Sequence, residues 1–200
     1  MYPPFTIGST FRIVPPGTPA STDGRIDLVM DRGAFGSGEH ETTASCLEML
    51  AELPEVRGAR VLDLGSGTGI LAFAALKLGA ARVVCVDINP HAVETARRNG
   101  ELNGLADRLT HRAGTLDSAG EDLFDLVLAN IYGDILLNLA EDLARRARPG
   151  ALLLLSGILW EYNFEVRQHY EKLGCEVIRN RMLEQFSTVL LRKRKPGNHL

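Results

Sequence analysis

The sequence predicts an α/β fold in which a mostly parallel sheet carries helices on both faces. Three observations lead there. From Arg60 onward, strand-like runs alternate with segments of helical period. Glycine and proline fall at the junctions between them. The last two strand-like runs have only a short turn between them, near Leu183–Gln185, so the final strand is expected to run antiparallel in a hairpin.

Each element has a local reason. Strand-like runs are Arg60–Leu64, Arg82–Val86, Arg108–Arg112, Leu123–Asn130, Ala151–Ser156, Cys175–Met182 and Ser187–Leu191. Helical periodicity fills Gly69–Leu78, Pro90–Asn103, Asp134–Arg146 and Trp160–Leu173. Pro90 suits a first helical turn, where its missing N–H is not needed, and Asn89 precedes it as a cap. Gly104 and Gly174 fit helix ends, and Pro149-Gly150 fits a turn before a strand. Before Arg60 the chain changes character. Met1 to Gly24 holds Pro3, Pro4, Pro15, Pro16 and Pro19; with the residues that follow it offers two short edge strands, Phe11–Val14 and Ile26–Met30, but no core of its own. Glu41–Leu53 reads as a helix with Leu47, Leu50 and Ala51 on one side.

Two hundred residues, 45% of them hydrophobic, suit a single domain with a two-faced sheet core. It divides into a lead and loop over residues 1–38, a Rossmann-like core over 39–191 and a basic tail over 192–200. The net charge of −3 supplies no global field toward nucleic acid, so direct nucleic-acid binding is not expected, and the tail reads as a solvated terminus. Cys46, Cys85 and Cys175 are odd in number and scattered, which suggests neither a disulfide framework nor a metal site; Cys85 reads as core. No signal peptide or membrane-spanning run is visible, so a cytoplasmic location is expected, and one domain is compatible with a monomer.

The most informative run is Val61-Leu62-Asp63-Leu64-Gly65-Ser66-Gly67-Thr68-Gly69. An apolar strand ends in an acid, breaks into alternate glycines and enters a helix. The next strand ends in a second acid, Asp87. Glycines let a ligand approach backbone, and an acid after the second strand can hold ribose hydroxyls, so the pair suits a nucleoside cofactor. A dinucleotide fingerprint requires its third glycine where Ile70 stands. Asp63 would also repel a pyrophosphate and favour a cationic or zwitterionic ligand. Further upstream, Asp31 to Thr43 is rich in glycine and hydroxyls ahead of a helix, a place where N–H groups with Thr42 and Thr43 can bind a carboxylate or simply cap the helix.

The run Asp63 to Gly69 resembles motif I of the class I methyltransferases, which bind S-adenosylmethionine and arrange seven strands in the order 3-2-1-4-5-7-6 with the last antiparallel. Phe35-Gly36-Ser37-Gly38-Glu39-His40-Glu41-Thr42-Thr43 is similar to the loop of one family, PrmA, which methylates large-subunit ribosomal protein eleven on lysines and its N-terminal amine. The resemblance continues through Val86–Pro90, Asn99–Gly104, Leu128–Ile131 and Ser156–Leu159, and covers roughly Pro3 to Leu191. It departs at Ser37, where Thr is usual, at Glu41, where Pro is usual, and at Glu39, an added acid. Members of the family usually carry a separate N-terminal recognition domain; this chain is expected to hold the catalytic domain only.

The resemblance implies S-adenosylmethionine as cofactor, bound by Phe35, Thr42, Thr43, Asp63, Gly65, Ser66, Gly67, Gly69, Asp87, Ile88, Thr115, Leu116 and Asn130. Asp87 would hold the ribose, or cap the following helix. Asp63 would reach the cofactor's amino group, and Thr115 with Leu116 would meet adenine. Phe35 would cover the cofactor or pack in the core, and His40 would line the acceptor site or cap its helix. Asn130 and Tyr132 are the candidate catalytic residues. Asn130, at the end of the fourth strand of the parallel core, orients an acceptor amine through its side-chain oxygen or satisfies backbone in the next turn. Tyr132 walls the pocket or packs. The acceptor is expected to be a protein, ribosomal by the resemblance, or a small-molecule amine; a non-catalytic S-adenosylmethionine-binding module is the further alternative.

Overall fold

The computed structural model describes residues 2–31 and 39–195. The lead forms three short strands, β1 (Phe5–Ile7), β2 (Phe11–Val14) and β3 (Ile26–Val29), followed by helix α1 (Glu41–Ala51). Strand and helix then alternate: β4 (Arg60–Leu64), α2 (Ile70–Lys77), β5 (Arg82–Asp87), α3 (Pro90–Leu102), β6 (Leu109–Ala113) and β7 (Phe124–Asn130). A bent pair, α4 (Gly133–Asn138) and α5 (Ala140–Arg146), leads to β8 (Ala147–Leu159). Helix α6 (Trp160–Lys172) and the hairpin of β9 (Cys175–Met182) and β10 (Phe186–Lys193) complete the chain.

Strands β4 to β10 form one sheet in the order β6-β5-β4-β7-β8-β10-β9. Counted from β4, this is 3-2-1-4-5-7-6, and β10 runs antiparallel to both neighbours, as the sequence predicted. Helices α1 to α3 cover one face, where Leu47, Leu50, Phe73 and Leu76 pack on Val61, Leu126 and Leu154. Helices α4 to α6 cover the other, where Leu136, Leu143, Val166 and Tyr170 pack on Leu62, Val127 and Leu153. The chain leaves β4 toward one flank of the sheet and β7 toward the other. Their carboxyl ends therefore border a crevice, the place where open α/β sheets bind ligands.

The lead departs from expectation. Its strands do not extend the main sheet; they make a sheet of their own, β1-β2-β3, with β2 and β3 parallel, and β1 was not foreseen. The side chains explain the choice. Phe11, Ile13, Leu28 and Met30 are fully buried against α1 and α2, each contributing about 1.5–3 kcal/mol. Asn103 takes the backbone of Val29 on both sides, accepting from its N–H at 3.0 Å and donating to its carbonyl at 2.7 Å. Two other differences are local. The helix expected over Asp134–Arg146 bends at Leu139 (φ −99°, ψ 5°) and begins at Gly133. Strand β8 starts four residues before Ala151, and Pro149-Gly150 forms an irregularity within it, where its register against β7 shifts between Phe124 and Leu126. The three cysteines are buried and unpaired, and burial pushes the Cys46 thiol up to about 12. No helix among the described residues is long and apolar enough to cross a membrane.

Candidate active site

The crevice at the carboxyl ends of β4 and β7 opens into a cavity of about 370 Å³, within the size range of small-molecule sites. Its walls bring together Thr42, Thr43, Asp63, Gly65, Ser66, Gly67, Asp87, Ile88, Asn130 and Tyr132. Of the remaining candidates, Gly69, Thr115 and Leu116 do not line it. Gly69 is the N-cap of α2, and Leu116 is buried in the core. Thr115 follows Gly114, whose N–H donates to the Asp87 carbonyl at 2.9 Å, so it stands beside the end of β5. Phe35 lies outside the described residues.

Backbone bonds shape the glycine turn. The N–H groups of Gly65 and Ser66 donate to the Val86 carbonyl at 2.8 and 3.1 Å, which ties the turn across to β5. Asp87 completes the tie: one carboxylate oxygen accepts from Gly67 N–H at 2.8 Å and the other from Asn89 N–H at 2.9 Å. Asn89 in turn caps α3 by accepting from His91 N–H at 3.0 Å. Each Asp87 oxygen still has a lone pair for a further donor, so its structural bonds and a ligand contact are compatible. From behind, the fully buried Asn99 donates to the Thr68 carbonyl at 3.1 Å and accepts from Asp31 N–H at 2.9 Å. Asn99 thus joins the glycine turn to Asp31, a role that helical periodicity does not reveal.

Asp63 is the electrostatic oddity of the site. It is 1% exposed, and its Oδ2 has no hydrogen-bond partner among the described residues. Burial pushes its pKa up to about 7; the Ala72 N–H works against the shift and the Asp87 carboxylate adds to it. An orphaned carboxylate oxygen at the wall of a cavity is suited to a cationic donor.

On the β7 side, Asn130 Nδ2 donates to Thr43 Oγ1 at 3.3 Å, and no described residue donates to its Oδ1. Its backbone is held from two directions. Ile131 N–H donates to the Ser156 carbonyl at 3.1 Å. Gly157 lies so close that a Cβ there would stand 2.6 Å from the Ile131 carbonyl oxygen, and its φ of +80° disfavours any side chain. Across the crevice, a Cβ on Gly65 would stand 2.4 Å from Ile131 Cγ2. Gly157→Ala is therefore expected to cost about 2–4 kcal/mol, from left-handed strain plus overpacking, and to displace Asn130. Urea denaturation measures the first effect, and a fall in turnover larger than the fall in cofactor affinity reports the second.

His40 caps its helix and also lines the cavity. Its Nδ1 caps α1 by accepting from Thr42 N–H at 3.3 Å, while its ring lines the cavity and meets Phe186 edge-on, centroids 5.2 Å apart. Tyr132 is largely exposed at the rim. Sequence reasoning missed Phe186, Gly157 and Ile135 as cavity residues. Gly157 stands in the Ser156–Leu159 segment of the resemblance, which was a usable signal; nothing local marks Phe186.

A seven-stranded sheet of this order, with a glycine turn between two strand-end acids, defines the class I S-adenosylmethionine-dependent methyltransferases. The comparisons narrow the class. The profile of the ribosomal protein L11 methyltransferase (PrmA) family matches residues 1–194, and the chain belongs to that family. It is 45% identical over 172 residues to a ribosomal protein L11 methyltransferase of Pelobacter propionicus, covering 83% of this chain and 55% of that protein. The chain thus spans little more than half the length of that curated relative. The crystal structure of a ribosomal protein L11 methylase from Lactobacillus delbrueckii subsp. bulgaricus superposes with a TM-score of 0.85 at 26% identity, covering 96% of this chain and 98% of that one. An RNA methyltransferase from Salinibacter ruber, solved with S-adenosyl-L-homocysteine, shares the fold at a TM-score of 0.61 and 22% identity, over 78% of this chain and 93% of that one.

Proposed function

We propose that this chain is a protein N-methyltransferase that transfers a methyl group from S-adenosylmethionine to an amine of a ribosomal protein. The observation that carries the reading is the single cavity in which the orphaned Asp63 oxygen, Asp87 and Asn130 meet. Asp63 is fit to accept from the cofactor's ammonium, Asp87 from the ribose hydroxyls, and Thr42 with Thr43 at the start of α1 to meet its carboxylate. Thr115 and Leu116, which follow the end of β6, are the proposed adenine contacts, and Phe35 the proposed cover. When bound, the cofactor supplies an activated methyl group on a sulfonium. The protein's part is alignment and exclusion of water. Asn130, held by Thr43 through its Nδ2, keeps its Oδ1 for an amine N–H and so aims the nitrogen lone pair.

The amine must first lose a proton. Near pKa 10.4, about four lysine side chains in ten thousand are neutral at pH 7. The described cavity walls offer His40, Asp63, Asp87 and Tyr132 as ionisable groups. Of these, His40 already has its Nδ1 engaged by Thr42, whose N–H donates to it at 3.3 Å. Loss of the proton to solvent is expected to make kcat/KM rise about tenfold per pH unit from roughly pH 6 to 9.

Labelled methyl transfer from S-adenosylmethionine into purified ribosomal protein L11 tests the reading, with methyl-lysine or a methylated N-terminus recovered after hydrolysis. Label appearing only in small molecules of a cell extract would reject a protein acceptor. Cofactor binding with no transfer to any acceptor would reject the enzyme.

A further inference from the structure

We propose that Glu41 is an acceptor-positioning residue, whose carboxylate holds the β9–β10 turn so that Phe186 and His40 form the acceptor-side wall of the cavity. What that wall receives rests on the methyl-transfer reading above. The cavity is two-ended. Its walls draw on five neighbouring strands, from Asp87 on β5 through Asp63, Asn130 and Gly157 to Phe186 on β10. Four strand spacings make that distance about 19 Å. Asp63, Asp87 and the glycine turn occupy one end, Asn130 stands in the middle, and Phe186 marks the other end.

That far end belongs to a strand that returns antiparallel; its ladder with β8 begins at Phe186, opposite Leu159, so the turn before it needs a hold of its own. Glu41 provides one. It is the first residue of α1, and its two carboxylate oxygens accept from the N–H groups of Glu184 and Gln185 at 2.8 and 3.1 Å. Bonds of this kind to an ionised acceptor are roughly twice as strong as neutral ones. Below the clamp, the ion pairs Arg181–Glu48 (2.7 Å) and Arg179–Glu52 continue along the same seam between α1 and β9. On the other side of the turn, Trp160 donates its indole N–H to the Phe186 carbonyl at 3.0 Å and its backbone N–H to the Gln185 carbonyl at 3.3 Å. Phe186 is thus held from α1 and from α6, with its ring against His40, the residue that immediately precedes the clamp. The wall this makes is one apolar ring and one imidazole edge, with Ile135 nearby. It suits the aliphatic stem of a primary amine whose nitrogen ends at Asn130.

The test compares wild type with Glu41→Ala, Glu41→Gln and Phe186→Ala, using ribosomal protein L11 as acceptor and S-adenosylhomocysteine as cofactor probe. Glu41→Ala and Phe186→Ala are expected to raise the acceptor KM about tenfold, with kcat changed less than about threefold and the S-adenosylhomocysteine Kd within about twofold. Glu41→Gln, which keeps one acceptor oxygen, is expected to fall between wild type and Glu41→Ala. Emission of Trp160, the single tryptophan, should shift in Glu41→Ala without any ligand, reporting the released turn. Equal losses of cofactor and acceptor affinity overturn the proposal, because the clamp would then support the whole cavity. An unchanged acceptor KM in Glu41→Ala also overturns it. Should wild type bind S-adenosylhomocysteine but transfer no methyl, the functional reading fails, and calorimetric binding of L11 decides the proposal alone: weakening by about tenfold in Glu41→Ala sustains it, and equal or absent binding sinks it.

Discussion

Asp63→Asn is expected to stabilise the protein above neutral pH while removing most of its affinity for S-adenosylmethionine. The native carboxyl titrates at about 7 because it is buried, whereas an unfolded aspartate titrates near 3.9. As pH rises, the unfolded chain therefore releases this proton first, and between about pH 4 and 7 the native state holds more protons. Stability falls through that window, and above it this one group leaves the native state about 4 kcal/mol less stable than below it. Asparagine has the same shape and no charge. Its advantage over aspartate should widen by about 2–3 kcal/mol between pH 5 and pH 8, or roughly 5–10 °C in Tm for a domain of this size. The cofactor's ammonium would offset the buried charge in the wild type, so the same substitution should weaken binding by about a hundredfold or more. Thermal unfolding at both pH values, with calorimetry against S-adenosylhomocysteine, measures the two halves. A wild-type Tm that stays level between pH 5 and 8, with the variant less stable at both, would refute the argument.

Asn130→Ala is expected to lower kcat by about 10²–10³ while the S-adenosylhomocysteine Kd moves less than about threefold. The residue's Nδ2 is already engaged by Thr43, so what alanine removes is the oxygen proposed to aim the amine. Asn130→Asp separates aiming from mere attraction. A carboxylate there would hold the acceptor as an ammonium, whose lone pair is occupied, so acceptor binding should tighten while turnover falls. A loss of cofactor affinity matching the loss of kcat would instead make Asn130 a cofactor ligand.

These effects were legible to different degrees in the chain itself. Asp63, the glycine turn and Asp87 span one strand-helix-strand unit. A right-handed crossover sets such strands side by side, so local pattern sufficed to place the two acids on neighbouring strand ends. Local pattern also carried the reversed last strand, because a hairpin needs only two adjacent strand-like runs and a short turn; the order of the main sheet came with the resemblance to the class I methyltransferases. Pattern did not reveal β1, the bend at Leu139 or the irregularity at Pro149-Gly150, where burial and register outweigh periodicity.

The charge state of Asp63 was out of reach as well. A strand-end acid looks the same in sequence whether it faces water or lies 1% exposed; only the packed layers around β4 set its surroundings. The clamp of Glu41 on Glu184 and Gln185 joins residues more than 140 positions apart. Asn99 and Asn103 likewise reach back across the chain to Asp31 and Val29. Such side-chain bonds to backbone have no sequence period, and they form only once the sheet has brought distant turns to one edge. Composition, periodicity and the glycine-acid motif were therefore enough for the class of fold and the glycine-turn end of the cavity. The Phe186 end came from folding, because it is built where β8, β10 and α1 converge and its contacts depend on long-range packing.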